Sequence, residues 1–217
     1  MKTSISGINK MLILSVAFTL ILITVRVVYA NDLSYIFYAW NLFLAIIPLV
    51  FSSRLQKQQT INFKTRLLLA GWLLFLPNAP YIITDIFHYE LREPVPMWYD
   101  LLIVITAAWN GLLLGIVSLM QVEKFLLNHW KKVWVNAFVC SSLLLCGYGV
   151  FIGRFLRFNS WDIVTKPQHI LFTSAHQIRH PFQNLNVWVF TVLFGVMLSI
   201  VYYTLQQMKS ASHSDTF

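Results

Sequence analysis

The chain has 217 residues, 58% of them hydrophobic and 11% charged, with mean hydropathy +0.65 and a formal net charge of +8. About a quarter of a soluble domain's residues are charged, so most of this chain cannot face water. Nor does the positive charge point to nucleic acid, because the basic residues fall in short segments between apolar runs, where membrane topology places them.

A helix needs roughly 20 apolar residues to cross a hydrocarbon core about 30 Å thick. Six stretches qualify, in chain order Met11–Ala30, Ser34–Phe51, Leu67–Ile83, Leu101–Val122, Val133–Ile152 and Val187–Leu205. The expected fold is an all-α integral membrane protein of about six transmembrane helices. One transmembrane domain is expected over residues 1–209, followed by a polar, disordered cytoplasmic tail over 210–217. The first span loosely resembles a signal peptide at Val28-Tyr29-Ala30. Its apolar core is long for one, and Arg26 precedes the site, so an uncleaved helix is expected, with Arg26 snorkelling to the headgroups.

Orientation follows from Lys and Arg. A cytoplasmic N-terminus places Lys2, Lys10, Arg54, Lys57, Lys64, Arg66, Lys124, Lys131, Lys132 and Lys209 inside, and only Arg92, Arg154, Arg157, Lys166 and Arg179 outside. That bias predicts a multi-pass plasma-membrane protein with both termini cytoplasmic.

The second and fourth spans share a motif. Ala39-Trp40-Asn41 and Ala108-Trp109-Asn110 stand at similar depths, each followed by a basic loop and a helix ending in a polar cluster. This suggests two tandem helical hairpins, spans two–three and four–five. Chance is the competing reading, since apolar helices draw on few residue types. Asn41 and Asn110 should lie roughly 10–15 Å below the outer surface. A buried amide in lipid needs a partner, which predicts interhelical hydrogen bonds or, alternatively, the floor of a cavity. Ala107, Gly111 and Gly115 form a helix-packing stripe, and Gly149 and Gly153 repeat the pattern. Cys140 and Cys146 point about 120° apart on one helix and read as packing residues.

Polar clusters gather at the outer end. In Pro77-Asn78-Ala79-Pro80-Tyr81 the prolines break the third span. Asn78 is placed to cap a helix from Ala79. Were that helix to reach Arg92, then Asn78, Tyr81, Asp85, His88 and Arg92 would share one face. Trp98-Tyr99-Asp100 opens the fourth span with interface aromatics and an acid suited to a helix N-terminus. At the end of the fifth span Arg154 and Arg157 stand one turn apart, ahead of Asn159-Ser160-Trp161-Asp162. Their guanidiniums suit a carboxylate or phosphate, so pairing with Asp85, Asp100 or Asp162, or capture of an anionic group, is expected. Pro167–Pro181 predicts a short interfacial helix on the outer side, with an apolar stripe of Leu171, Ala175, Ile178 and Phe182, and His169, Thr173, His176 and His180 opposite. His176 and His180 have metal-ligand spacing, but no further ligand motif accompanies them.

Four of these segments together resemble a known pattern. They are Trp40-Asn41-Leu42-Phe43-Leu44-Ala45; Pro77–Tyr81 with Thr84-Asp85 and His88; Trp98-Tyr99-Asp100; and Gly153-Arg154-Phe155 with Arg157 and Asn159–Asp162. They are similar to a bacterial multi-pass membrane family catalogued as domain of unknown function thirteen sixty-one. The resemblance covers about residues 35–165. It implies a bacterial inner-membrane protein and carries over no catalytic residue.

No nucleophile elbow, P-loop or dinucleotide fingerprint is present. The expected function is a polar site, open to the extracytoplasmic side, that binds an anionic lipid or lipid-linked headgroup. Its candidate binding residues are Asn78, Tyr81, Asp85, His88, Asp100, Asn110, Arg154, Arg157, Asn159 and Asp162. Asp85, His88 and Asp100 are the acid–base candidates should it be an enzyme. The sequence names no cofactor and no protein partner. A small transporter or channel subunit and a non-catalytic membrane partner are the competing readings.

Overall fold

The structure, a computed structural model, describes residues 2–90 and 92–214, with side chains over 10–87, 89–90, 92–163 and 165–209. It divides into two compact units, Met1–Phe125 and Leu126–Phe217. Among the described residues, six helical segments are long and apolar enough to cross a membrane, namely Lys10–Ala30, Ile36–Leu55, Phe63–Phe87, Met97–Leu127, Lys132–Phe155 and Pro181–Lys209. Each expected span lies inside one of them, apart from the two residues Ser34-Tyr35 that precede the second. The protein is therefore a multi-pass helical membrane protein.

The first unit contains α1 (Lys2–Ala30), α2 (Ile36–Leu55), α3 (Phe63–Phe75), α4 (Asn78–Tyr81) and most of α5 (Met97–Leu127). α5 is central: half of its apolar window is buried inside the protein, against 22–39% for the other spans. The reason lies in its side chains, which bond to the helices around it. Tyr99 donates to the Leu22 carbonyl of α1 at 3.1 Å. Ser118 accepts from the indole of Trp72 on α3 at 3.2 Å. The Gln121 side chain accepts from Ser52 of α2 at 2.8 Å. In a hydrocarbon medium such polar ties hold helices together where the hydrophobic effect does not.

The third span is broken as its prolines require. Pro77 has no N–H and its ring clashes with the preceding turn, so α3 stops at Phe75. The freed backbone is then re-satisfied locally, with Ala79 N–H bonding the Leu76 carbonyl at 3.1 Å and the Asn78 amide donating to the Phe75 carbonyl at 3.0 Å. Asn78 thus closes the end of α3; it does not cap the following helix, whose N-cap is Pro77. Nor does a helix run to Arg92. The chain tightens into a 3-10 segment, Ile82–His88, and becomes extended at Tyr89. At three residues per turn the expected α-helical face dissolves. Thr84 reinforces the tight winding by donating to the Tyr81 carbonyl at 2.6 Å.

This broken segment lies against the small-residue stripe of α5. A methyl on Gly111 would run into the Ala79 carbonyl oxygen and reach 3.0 Å from Ile82 Cδ1, and one on Gly115 would lie 3.1 Å from Ala79 Cβ. The stripe exists to let backbone approach backbone.

The second unit holds α6 (Lys132–Phe155), α7 (Asp162–Thr165), α8 (Pro167–Arg179), a 3-10 turn (Pro181–Asn184) and α9 (Leu185–Ser214). α6 packs along α9, and their close crossing is at Gly147, where a methyl would lie 2.6 Å from the Thr191 carbonyl oxygen. The expected stripe, Gly149 and Gly153, begins about 200° around the helix from that point. α6 ends in a left-handed residue, Arg157 (φ 58°), with the Leu156 and Phe158 N–H groups both directed to the Ile152 carbonyl at 3.2 Å.

α8 docks by its polar side. The Tyr148 hydroxyl bonds Ser174 and the buried Gln177, each at 2.8 Å. Leu171, Phe172, Ile178 and Phe182 are left 66–86% exposed, as an interfacial helix requires. The α2–α3 hairpin forms within the first unit, whereas the helices of the second proposed hairpin, α5 and α6, fall almost wholly in different units. α9 continues through the expected start of the tail at Ser210, and residues 215–217 lie outside the described residues. Both cysteines are free thiols, Cys140 exposed and Cys146 buried.

Candidate functional site

A polar cluster stands where the C-terminal end of α1 meets the N-terminal end of α5. Arg26, only 1% exposed, donates through Nε to Asp100 Oδ1 at 3.1 Å and through a terminal nitrogen to Asp32 Oδ2 at 3.0 Å. It also reaches Ser34 Oγ at 3.3 Å and lies 4.0 Å over the Tyr35 ring. Arg26 therefore does not snorkel to the headgroups. A guanidinium inside a helix bundle is tolerated only when its donors are spent on acids and carbonyls, and Asp100 and Asp32 take them.

The loop carrying Asp32 folds by a local rule. Asp32 accepts the Ser34 backbone N–H at 2.9 Å, an Asx turn, and also takes the Ser34 hydroxyl. Ser34, then Arg26, hold the Asp32 carboxyl well below its usual range, at about 2. Burial, then the charge of Asp100, raises the Tyr35 phenol; its hydroxyl is buried without a hydrogen bond of acceptable geometry. The depressed Asp32 value has a consequence for stability. In the unfolded chain an Asp titrates near pH 4, so the contribution of Asp32 is complete above about pH 4 and is lost as pH falls towards 2. Melting temperatures of wild type and Asp32→Asn, followed from pH 6 to pH 2.5, should converge at the acid end. A constant gap between them would show that the carboxylate charge is not responsible.

A cavity of about 250 Å³ opens beside this cluster, lined by Ser34, Tyr35, Phe37, Glu90 and Arg92. Arg92 and Glu90 form an ion pair of 3.2 Å, the two side chains 41% and 68% exposed.

A second polar contact joins α2 to the 3-10 segment. The Asn41 amide donates to Asp85 Oδ2 at 2.7 Å, and Tyr38 donates to the Asp85 backbone carbonyl at 3.1 Å. Asp85 is buried. Asn110 instead turns to α1, donating to Thr19 Oγ1 at 2.9 Å and the Ser15 carbonyl at 3.2 Å, while its own Oδ1 has no hydrogen-bond partner among the described residues. The two Trp-Asn segments thus share a position but not a partner. Both amides make the interhelical bonds that burial in lipid demands.

The other sequence candidates are placed as follows. Tyr81 is half-buried in α4, and the His88 side chain lies outside the described residues. Arg154 is half-exposed in the last turn of α6 and Arg157 is exposed beyond it. Asp162 accepts the Asn159 backbone N–H at 2.7 Å and the Thr165 hydroxyl at 3.2 Å, so it stabilises its own turn. Those contacts, the Asn159 N–H foremost, hold its carboxyl below the usual range. The His176 and His180 rings are 4.9 Å apart, and no group of three or more metal-ligating side chains occurs among the described residues. The bonds seen at these two acids run from Arg26 to Asp100 and from Asn159 and Thr165 to Asp162.

Asp32, Ser34 and Tyr35 were not singled out by the sequence reading. The signal was available: a charged residue inside an apolar span demands a partner, and Asn31-Asp32-Leu33-Ser34 is the nearest turn that could supply one.

Fold and site together define a multi-pass helical membrane protein whose polar chemistry gathers at helix ends. The family described as Protein of unknown function (DUF1361) matches residues 40–201, and the chain belongs to it. No curated protein and no solved structure matches the chain.

Proposed function

We propose that the chain binds the phosphate-bearing headgroup of a membrane lipid in the cavity beside Arg26 and Asp100, with that end facing the extracytoplasmic side of a plasma membrane. The observation that carries this reading is the contrast between two arginines. Arg26 is buried and engaged through Nε with Asp100 and through a terminal nitrogen with Asp32. Arg92, on the cavity wall, is held among the described residues by an exposed pair, which contributes about 0.2–1 kcal/mol. A phosphate can displace Glu90 and take the guanidinium's paired donors. The buried cluster beneath is framework: it fixes Ser34 and Tyr35, the cavity's other polar wall.

Phe37 offers an apolar side for acyl-chain carbons. The sidedness rests on the excess of Lys and Arg in the loops at the opposite end. Arg154 and Arg157 remain further candidate anion contacts, carried by the second unit. Asp85 and Asp100 serve in this reading as hydrogen-bonding framework, with no acid–base step assigned to them. Lipid binding is favoured over transport because the mid-depth amides, Asn41 and Asn110, are engaged in interhelical bonds.

Native mass spectrometry of the gently extracted chain tests this. Wild type should retain phospholipid, and Arg92→Gln should lower retention several-fold while melting like wild type. Equal retention by both would overturn the reading.

A further inference from the structure

We infer that the headgroup bound at this site carries an amine as well as a phosphate: the ligand is a zwitterionic aminoalkyl phosphate, not a purely anionic one. The inference rests on the headgroup reading above and deepens it.

The argument is one of charge balance. The cavity and the cluster beneath it bring together two guanidiniums, Arg26 and Arg92, and three carboxylates, Asp32, Asp100 and Glu90. The site is therefore negative by one charge before any ligand arrives. Arg26 and Asp100 are buried and bonded to each other, so neither is available. A phosphate must take Arg92, and in doing so it releases Glu90, which faces the same cavity. An anionic headgroup such as a phosphoglycerol would then leave Glu90 unpaired beside a second negative charge, with Asp32 close behind Ser34. Like charges in such an arrangement destabilise one another.

An ammonium one ethyl spacing from the phosphate reverses this. It replaces Arg92 as the partner of Glu90, while the phosphate replaces Glu90 as the partner of Arg92. The existing ion pair is opened and both halves are re-paired by a single ligand. Apart from Arg92, which the phosphate takes, and Arg26, which is bonded to Asp100 and Asp32, the described cavity and cluster hold no cation that could neutralise Glu90. The cavity, about 250 Å³, is on the scale of a small headgroup and not of a whole lipid, so selection falls on the headgroup.

The test compares retention of phosphatidylethanolamine and phosphatidylglycerol by the full-length protein, extracted from vesicles holding equal amounts of both and read by native mass spectrometry. Wild type should prefer phosphatidylethanolamine about 1.4- to fivefold, the range an exposed charge pair supplies. Glu90→Gln should bring the ratio to about one, and Arg92→Gln should lower retention of both lipids. Both side chains are substantially exposed, so the variants are expected to fold; melting curves check this.

If Arg92→Gln changes neither lipid, the headgroup reading itself is overturned. If Arg92→Gln weakens both, yet wild type prefers phosphatidylglycerol or Glu90→Gln keeps the original ratio, the amine inference alone is overturned. The same chemistry could come from a soluble source, and glycerophosphoethanolamine separates the two. Failure to displace bound lipid supports a lipid ligand. Displacement at concentrations equal to the lipid keeps the aminoalkyl phosphate and overturns its assignment to a lipid.

Discussion

Asp100→Ala is expected to lower the stability of the protein by about 3 kcal/mol or more, the cost of leaving a buried charge without its partner. Arg26 is 1% exposed and its Nε has Asp100 as acceptor. Asp32 would still hold the other edge of the guanidinium, but its own side chain is 44% exposed and cannot compensate from outside the bundle. The double variant Arg26→Met, Asp100→Leu should recover most of the loss, because well-packed apolar residues commonly replace a buried ion pair at little cost. Denaturation of the detergent-solubilised protein, read by circular dichroism, measures both. The pair would be shown to be solvated, and its framework role refuted, if Asp100→Ala melted with wild type. Should the double variant be as unstable as the single, the loss would instead belong to shape and not to charge.

Gly111→Ala should be the most damaging single-methyl change in the first unit, at about 1–3 kcal/mol. Its methyl would overlap the Ala79 carbonyl oxygen. That atom is backbone and sits between Pro77 and Pro80, where no rotamer change can relieve the clash. Gly115→Ala meets Ala79 Cβ at 3.1 Å and Pro80 Cδ at 3.6 Å, which a shift of a few tenths of an ångström accommodates. The same denaturation measurement should therefore rank Gly111→Ala well below Gly115→Ala. Because Ala79 begins the segment that leads to Asp85, the shift should also lengthen the Asn41–Asp85 bond, now 2.7 Å. Equal losses for the two alanines would mean that α5 and α4 separate freely, and the close approach would lose its meaning.

Much of the architecture was legible from composition and periodicity. Apolar run length locates all six spans because the bilayer imposes a minimum length on any crossing helix. The prolines mark the break in the third span because a missing N–H cannot be supplied by tertiary contact. The small-residue stripe on α5 was readable because only small side chains permit such an approach. Its counterpart on α6 was misplaced, since two glycines two residues apart face opposite sides and the sequence does not say which side meets α9.

The site was less legible. Arg26 had an ordinary interfacial reading, and nothing nearby in sequence announced Asp100, 74 positions away. Asn41 clearly needed a partner, but that the partner was Asp85 depended on a 3-10 segment where an α-helix was expected. The resemblance to the family, confirmed over residues 40–201, named the class of protein without naming a partner for any side chain.

By itself, then, the sequence determined what each segment is: its length in the membrane, its breaks, its small and charged positions. Those are local quantities, set by transfer from water to hydrocarbon and by backbone chemistry within a turn or two. Only the tertiary structure decided which charges neutralise each other and which remain exposed, as Arg26 and Arg92 show. Pairing depends on distances between helices that are remote in sequence, and the energy of a charge depends on its neighbours far more than on its own identity.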